Sequence, residues 1–235
     1  MKKIIIIVLL MMLTCTSSVF AEETVNEEEI AKEQTIQNKI NSIGTRILNA
    51  NKIPNRVVFV YNKAEKKSKL KYDKTLTSRN VVMYNGTYKY TDSDDEIAAF
   101  LARDIVLASK SYDGEFSGEL NSIQIMASPK KYEIIADKLA VDMMVNAGYN
   151  PLGLITFINK TCPQRRFDFV SNKNLTSKRL AIIYEYIVKK YPYFLVNNTY
   201  LNNEYYQNFL LTSQENRRML KKHLETGSKE KIKYE

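Results

Sequence analysis

The sequence predicts an α+β protein that is mainly helical, with a small β-sheet or hairpin packed on a central helix. A first helix over about residues 26–51 is indicated by isoleucines at steps of four, three and four, namely Ile36, Ile40, Ile43 and Ile47. The β-branched and aromatic stretch 56–61 favours a strand. Ser93-x-x-Glu96 is a capping box and predicts the start of the central helix.

The N-terminus has the pattern of a secretory signal peptide. Lys2 and Lys3 precede ten consecutive apolar residues, 4–13, and small residues lead up to Ala21. A bilayer-spanning helix needs roughly 20 apolar residues, so this run is too short for one. We therefore expect a signal peptide over residues 1–21 and an exported protein, periplasmic or extracellular.

The two cysteines bear on anchoring and stability. Cys15 stands where a bacterial lipoprotein carries its lipidated cysteine, but Thr14 precedes it where a smaller residue is usual, so lipid anchoring at Cys15 is an alternative. Cleavage after Ala21 leaves Cys162 as the only cysteine. An intrachain disulfide is then excluded, and stability must come from packing.

The net charge is +9, and removal of Lys2 and Lys3 lowers it to +7. The excess is concentrated in six lysines within residues 63–74 and in the basic stretch 217–233. In an exported protein these blocks favour an anionic membrane or cell-wall surface over nucleic acid, and the alternative is an ordinary solvated face.

Asn85-Gly86 predicts a β-hairpin between strands 81–84 and 87–90, because both residues tolerate the positive φ of a type I′ turn. The edge of such a hairpin would accept an extended peptide, lined by three tyrosines at positions 84, 88 and 90.

The central helix carries acidic residues in its first turn and an apolar stripe formed by Ile97, Phe100, Leu101, Ile105 and Ala108. Asp104 falls on or beside this stripe, where a carboxylate needs a partner. Further helices are predicted over residues 130–147, 151–161, 175–191 and 204–224, followed by a mobile polar end. We expect one domain over residues 22–191 and a helical, basic tail over residues 192–235.

Three motifs follow one another in the middle of the chain. They are Asp95-Glu-Ile-Ala-Ala-Phe-Leu-Ala-Arg-Asp-Ile-Val-Leu107, Glu133-Ile-Ile-Ala-Asp137 and Ala147-Gly-Tyr-Asn-Pro151. Their order resembles the gluzincin metallopeptidases of the HtpX, BepA and CAAX-prenyl-endopeptidase type, which read D-E-[LI]-A-A-x-L-A-H-E-x-x-H, E-x-x-A-D and A-G-Y-[DN]-P. The resemblance covers roughly residues 30–190 and implies a gluzincin-like (minigluzincin) metallopeptidase fold.

The chain departs from that family at its catalytic positions. Arg103 and Leu107 occupy the positions of the two zinc-binding histidines, and Asp104 occupies that of the general-base glutamate. The resemblance makes Glu133 the third zinc ligand and Asp137 a supporting carboxylate. A later element, Lys173-Asn-Leu-Thr-Ser-Lys-Arg179, is similar to the family's H-P-x-T-x-x-R, with lysine in place of histidine.

Without zinc, the two carboxylates need another source of positive charge. We expect Arg103 to pair with Glu133, Asp137 or both, in a bidentate ion pair that stands in for the metal as a structural tie, with Lys173 as a further cation. The alternative is an Arg103 that reaches solvent while the acids lie on an exposed face.

The sequence therefore predicts a pseudo-metallopeptidase of the cell envelope, with no catalytic residues, no metal and no cofactor. It would bind an extended peptide or envelope protein through residues drawn from Arg103, Asp104, Glu133, Asp137 and Lys173. One alternative is an active zinc peptidase with atypical ligands, for which His223, the chain's only histidine, would join Asp104 and Glu133, or with a partner-supplied site. Another is a structural helical domain with no cleft.

Overall fold

The computed structural model describes residues 27–54, 57–67, 80–110, 128–162 and 174–234. Its contacts divide the chain into two units, Met1–Lys39 and Ile40–Glu235. Helix α1, residues 27–50, begins in the first unit and ends in the second. The four isoleucines of its predicted stripe are all buried, at most 7% exposed.

The second unit contains the remaining described elements, and the α+β class predicted from the sequence is confirmed at this coarse level. It is mainly helical with a small sheet. In chain order the elements are β1 (Val58–Asn62), β2 (Asn80–Tyr84), α2 (Asn85–Tyr88), α3 (Asp94–Lys110), α4 (Pro129–Asn146), α5 (Leu152–Thr161), α6 (Thr176–Lys190), α7 (Tyr193–Val196), α8 (Glu204–Thr212) and α9 (Gln214–Thr226).

The predicted hairpin is wrong. Strand β2 pairs in parallel with β1, with Val58 opposite Asn80 and Asn62 opposite Tyr84, and residues 85–88 form a helical turn rather than the start of a returning strand. Parallel strands require a crossover connection, which here comprises residues 63–79. The peptide-accepting hairpin edge expected around Asn85-Gly86 is therefore not formed.

Asn85 and Gly86 serve instead to hold the segment that follows β1. The Asn85 side chain accepts a hydrogen bond from the Tyr61 hydroxyl at 2.9 Å and donates to Glu65 at 2.5 Å. A Cβ at Gly86 would lie 2.2 Å from the Glu65 carbonyl oxygen. Gly86 is not among the described residues with a positive φ, so its backbone conformation does not require a glycine. The close approach of the Glu65 backbone does.

Helix α3 is the centre of the core. Eight consecutive residues, 96–103, are buried, which indicates a helix packed on several sides; α4, α5 and β2 contact it. Phe100 meets Phe157 of α5 edge to face, with ring centroids 6.1 Å apart. The N-cap half of the predicted capping box is confirmed, because the Glu96 N–H donates to Ser93 Oγ at 3.3 Å. The reciprocal bond is shifted by one residue, since Glu96 Oε2 accepts from the Asp92 N–H at 2.7 Å.

The helix predicted over residues 204–224 is two helices, α8 and α9, that meet at Ser213. The Ser213 hydroxyl donates to the Phe209 carbonyl at 2.5 Å, and Arg217 Nη2 donates to the Leu210 carbonyl at 2.7 Å. The Phe209 carbonyl also keeps its helical bond from the Ser213 N–H at 2.9 Å. In a continuous helix the Leu210 carbonyl would accept from the backbone N–H four residues on. The Arg217 side chain satisfies this carbonyl instead, which allows the chain to turn at this point.

The C-terminal residues contribute buried side chains to the second unit. Tyr206 and Phe209 are at most 1% exposed, α8 contacts α5, and α9 contacts α6. The polar end was expected to be mobile; in the structure Tyr234 is buried and its hydroxyl donates to Glu185 at 2.8 Å. The predicted division into residues 22–191 and 192–235 stays a prediction.

Candidate functional site

Helices α3 and α4 bring together two of the residues singled out from the sequence. Arg103 of α3 donates from Nε to Asp137 Oδ1 of α4 at 2.7 Å, and the two side chains are 2% and 1% exposed. The predicted ion pair between Arg103 and Asp137 is confirmed. The alternative, in which Arg103 reaches solvent, is wrong because the side chain lies in the core.

A second arginine binds the same carboxylate. Arg179 of α6 donates to Asp137 from Nε at 2.5 Å and from Nη2 at 2.7 Å, which is a bidentate fork. Its Nη1 lies 3.3 Å from Glu133 Oε1. Arg179 therefore joins both carboxylates, and the bidentate geometry expected of Arg103 is made by Arg179.

Glu133 is oriented by the residues just before α6. The backbone N–H and the side-chain amide of Asn174 both donate to Glu133 Oε2 at 3.0 Å. The same amide donates to the Lys130 carbonyl at 2.8 Å. We call Arg103, Glu133, Asp137, Asn174 and Arg179 the ion-pair cluster; it joins α3, α4 and α6.

Electrostatics in this cluster favour the charged forms. Burial disfavours ionisation of Asp137, but the charges and hydrogen bonds of Arg179 and Arg103 outweigh it and hold the pKa of that carboxyl below its ordinary value. Burial likewise disfavours the charged guanidinium of Arg179, and the Asp137 carboxylate outweighs it and raises the Arg179 pKa. The pair is thus an arginine cation on a carboxylate anion.

Asp104, the residue after Arg103, lies outside this arrangement. The residue is half-buried, and its Oδ1 is enclosed without a hydrogen-bond partner among the described residues. Burial raises the Asp104 pKa to about 7, against a smaller opposing effect of the Arg103 charge. The sequence predicts that the Asp104 carboxylate needs a partner. In the described part of the chain its Oδ1 has none.

The other predicted positions are distributed as follows. Leu107 is buried, at 6% exposure, on α3. Lys173 lies outside the described residues, so its predicted role as a second cation stays a prediction. His223 lies in the last turn of α9, and no group of three or more His, Cys, Asp or Glu side chains able to hold a metal occurs among the described residues.

Zinc does not fit the residues at this site. Arginine stays protonated and leucine has no donor atom, so the positions of Arg103 and Leu107 supply no ligand. Asp137 accepts hydrogen bonds from two guanidinium groups, and Glu133 faces Arg179 and accepts from Asn174. A metal would have to displace these cations from both carboxylates.

Sequence reasoning undervalued Arg179 and missed Asn174. The sequence places Arg179 in the later element Lys173–Arg179 without a role, although it lies on the buried stripe of α6, with neighbours Thr176, Leu180, Ile183 and Ile187. A cation on a buried stripe signals an internal carboxylate partner. Asn174 precedes the helix and has no periodic signal that could have marked it.

Comparisons with known proteins identify no relative. No family model, curated protein or solved structure matches the chain. Within the described ranges, no helix is both long enough and apolar enough to cross a bilayer.

Proposed function

We propose that this protein is an exported, gluzincin-like relative of zinc metallopeptidases that has lost hydrolysis and works as a non-catalytic binding or assembly factor of the bacterial cell envelope. The observation that supports it best is the ion-pair cluster. Two carboxylates at the positions of a zinc ligand and its supporting acid are held by buried arginines. The partner would be an extended peptide or an envelope protein.

The cluster can take over the structural part of a metal's role. A zinc ion ties together the helices that carry its ligands. Here Arg103 comes from α3, Asp137 from α4 and Arg179 from α6, so the same kind of tie is made by charge-assisted hydrogen bonds. Removing either side of such a buried pair leaves an uncompensated charge, so the pairing would persist once the metal was lost.

The cluster cannot take over the chemical part of that role. Zinc lowers the pKa of bound water from about 15.7 to about 7. At 1.36 kcal/mol for each pKa unit, losing that effect raises the free energy needed to deprotonate the water by roughly 12 kcal/mol. Asp104, at the general-base position, has a pKa of about 7, which is some nine pKa units below that of water with no metal bound. Binding without cleavage is the function these residues support.

Rebuilding the lost motif tests the proposed ancestry. The triple variant Arg103→His, Asp104→Glu, Leu107→His restores H-E-x-x-H on α3, and we expect it to bind one zinc per chain, measured by metal analysis and zinc titration. Adding Glu133→Gln to the triple variant is the matched control and should weaken zinc binding at least about tenfold. A triple variant that is folded by circular dichroism yet binds no zinc contradicts the proposed relation.

A casein assay tests the loss of hydrolysis. Labelled, unfolded casein should bind the wild-type protein, measured by fluorescence anisotropy, and remain uncut with or without chelator. Cleavage that chelator abolishes would establish the alternative, an active zinc peptidase with atypical or partner-supplied ligands. Absence of binding to any extended chain would favour a purely structural domain.

A further inference from the structure

The four-residue helix α7 presents an exposed apolar surface. Tyr193 and Val196 stand three residues apart, on one face of the helical turn, and are 68% and 84% exposed. Pro192 before them is exposed, and Leu201, a few residues on, is 52% exposed. We call Pro192, Tyr193 and Val196 the α7 tip. Such grouped exposure is unlike single apolar residues scattered over a surface.

Two lysines border the α7 tip. Lys189 and Lys190 end α6, directly before the turn that leads to Tyr193. Their side chains are 44% and 47% exposed, whereas their acidic partners Glu185 and Asp142 are each 21% exposed. The lysine side chains are therefore the more exposed members of these pairs. Beside the tip, solvent meets two lysine side chains, each paired with a less exposed carboxylate.

We propose that the α7 tip is a membrane-docking surface that places Tyr193 and Val196 in the headgroup region of an anionic phospholipid bilayer. Tyrosine is suited to that depth because its ring is apolar and its hydroxyl stays hydrated. Lysines at the rim attract anionic lipid while their hydrocarbon stems lie along the interface. The inference is independent of the ion-pair cluster, so it can fail without affecting the proposed function.

A second copy of the chain fits this surface less well. A stable protein interface buries about 800 Å² on each partner, and a single aromatic side chain supplies only about 150–250 Å², so the α7 tip is too small alone. A two-fold contact through it would also bring the lysines of both copies together. A bilayer needs neither a large matched area nor a complementary protein charge.

Vesicle binding tests the inference. The purified exported protein, with its processed N-terminus checked by mass spectrometry, is mixed with vesicles of phosphatidylcholine alone or with phosphatidylglycerol and separated by flotation. We expect binding to the anionic vesicles that weakens as salt is raised. Val196→Asp should lower the partition coefficient by about tenfold or more, because it removes apolar contact and adds repulsion.

Leu211→Asp is the matched control. Leu211 is 77% exposed on α8, so the substitution removes a similar apolar surface and adds the same charge elsewhere. Its partition coefficient should stay within about twofold of the wild-type value, since surface substitutions of this kind have small effects on the fold. Failure of the wild-type protein to bind anionic vesicles overturns the inference. So does an equal loss in Leu211→Asp, or a dimer by light scattering that disappears in Val196→Asp.

Discussion

Helix α3 carries ionisable side chains at two adjacent positions, and the two positions differ in whether their enclosed polar atoms have partners. Arg103 points toward Asp137 and belongs to a cluster in which the carboxylate is ionised and doubly bound. Asp104 points elsewhere, since successive helical residues are about 100° apart, and its enclosed oxygen has no partner among the described residues. The cluster should stabilise the fold once formed, whereas Asp104 should cost stability.

The difference indicates what the site retains. A buried ion pair is kept because removing one partner is far worse than keeping both. A carboxyl with one enclosed oxygen that has no partner lacks such protection, and it persists where its cost is small or its chemistry is used. The cluster thus fits a structural role, and Asp104 is the residue of the two whose cost to the fold is not offset by a pairing that the described residues show.

The largest expected effect comes from breaking the cluster at Arg179. Arg179→Met should lower the free energy of unfolding by about 3–5 kcal/mol, because Asp137 and Glu133 lose the cation that joins them. Chemical denaturation measures this. The control Lys221→Met removes a cation that is 79% exposed and should change stability by less than about 0.5 kcal/mol. Equal effects in both variants would mean that the cluster adds nothing.

The next largest effect is expected from Asp104→Asn. This substitution should stabilise the protein, but only at higher pH. The raised pKa means that the unfolded chain loses this proton near pH 4, while the folded state holds it until about pH 7. Wild-type stability therefore falls as pH rises through that window. Asparagine does not titrate, so the variant should gain up to about 4 kcal/mol at pH 8 and almost nothing at pH 4.

Denaturation curves at a series of pH values separate the two states of Asp104. Glu215→Gln, at an acid that is 69% exposed, serves as the control and should show no comparable pH-dependent gain. A variant that is less stable than wild type at pH 8 would show that Asp104 is paired.

A smaller loss is expected at Arg103. Arg103→Met should cost about 1–3 kcal/mol, less than Arg179→Met, because Asp137 keeps its bidentate bond to Arg179. The two losses should not add in the double variant, since both arginines act on one carboxylate. Additive losses would separate Arg103 from the cluster and leave Arg179 as the sole partner.

Local sequence signals predicted most helices of this fold. The isoleucine stripe of α1 and the Ser93 N-cap of α3 each depend on neighbours within a few residues, and each is found in the structure. The strand pairing depended on a distant contact. Asn85-Gly86 has the composition of a hairpin turn, but the close approach of the Glu65 backbone decides its conformation.

The candidate site was predicted in part for the same reason. A misplaced charge on an apolar stripe marked Asp104, and motif order brought Arg103 together with Asp137. The packing of α6 on α4 decides which arginine forms the bidentate bond. It also brings Asn174 to Glu133. No periodic pattern in one segment specifies the packing of two segments some 40 residues apart.

The most direct test is the metal content of the protein purified without added metal, together with its thermal unfolding in the presence of chelator or zinc. A metal that bound only the folded state would stabilise it by roughly 3–4 kcal/mol at saturating concentration, a shift on the order of 10 °C. If buried arginines have replaced the metal, we expect no stoichiometric zinc and a Tm that changes by less than about 1 °C. Stoichiometric zinc whose removal lowers the Tm by several degrees would contradict this account.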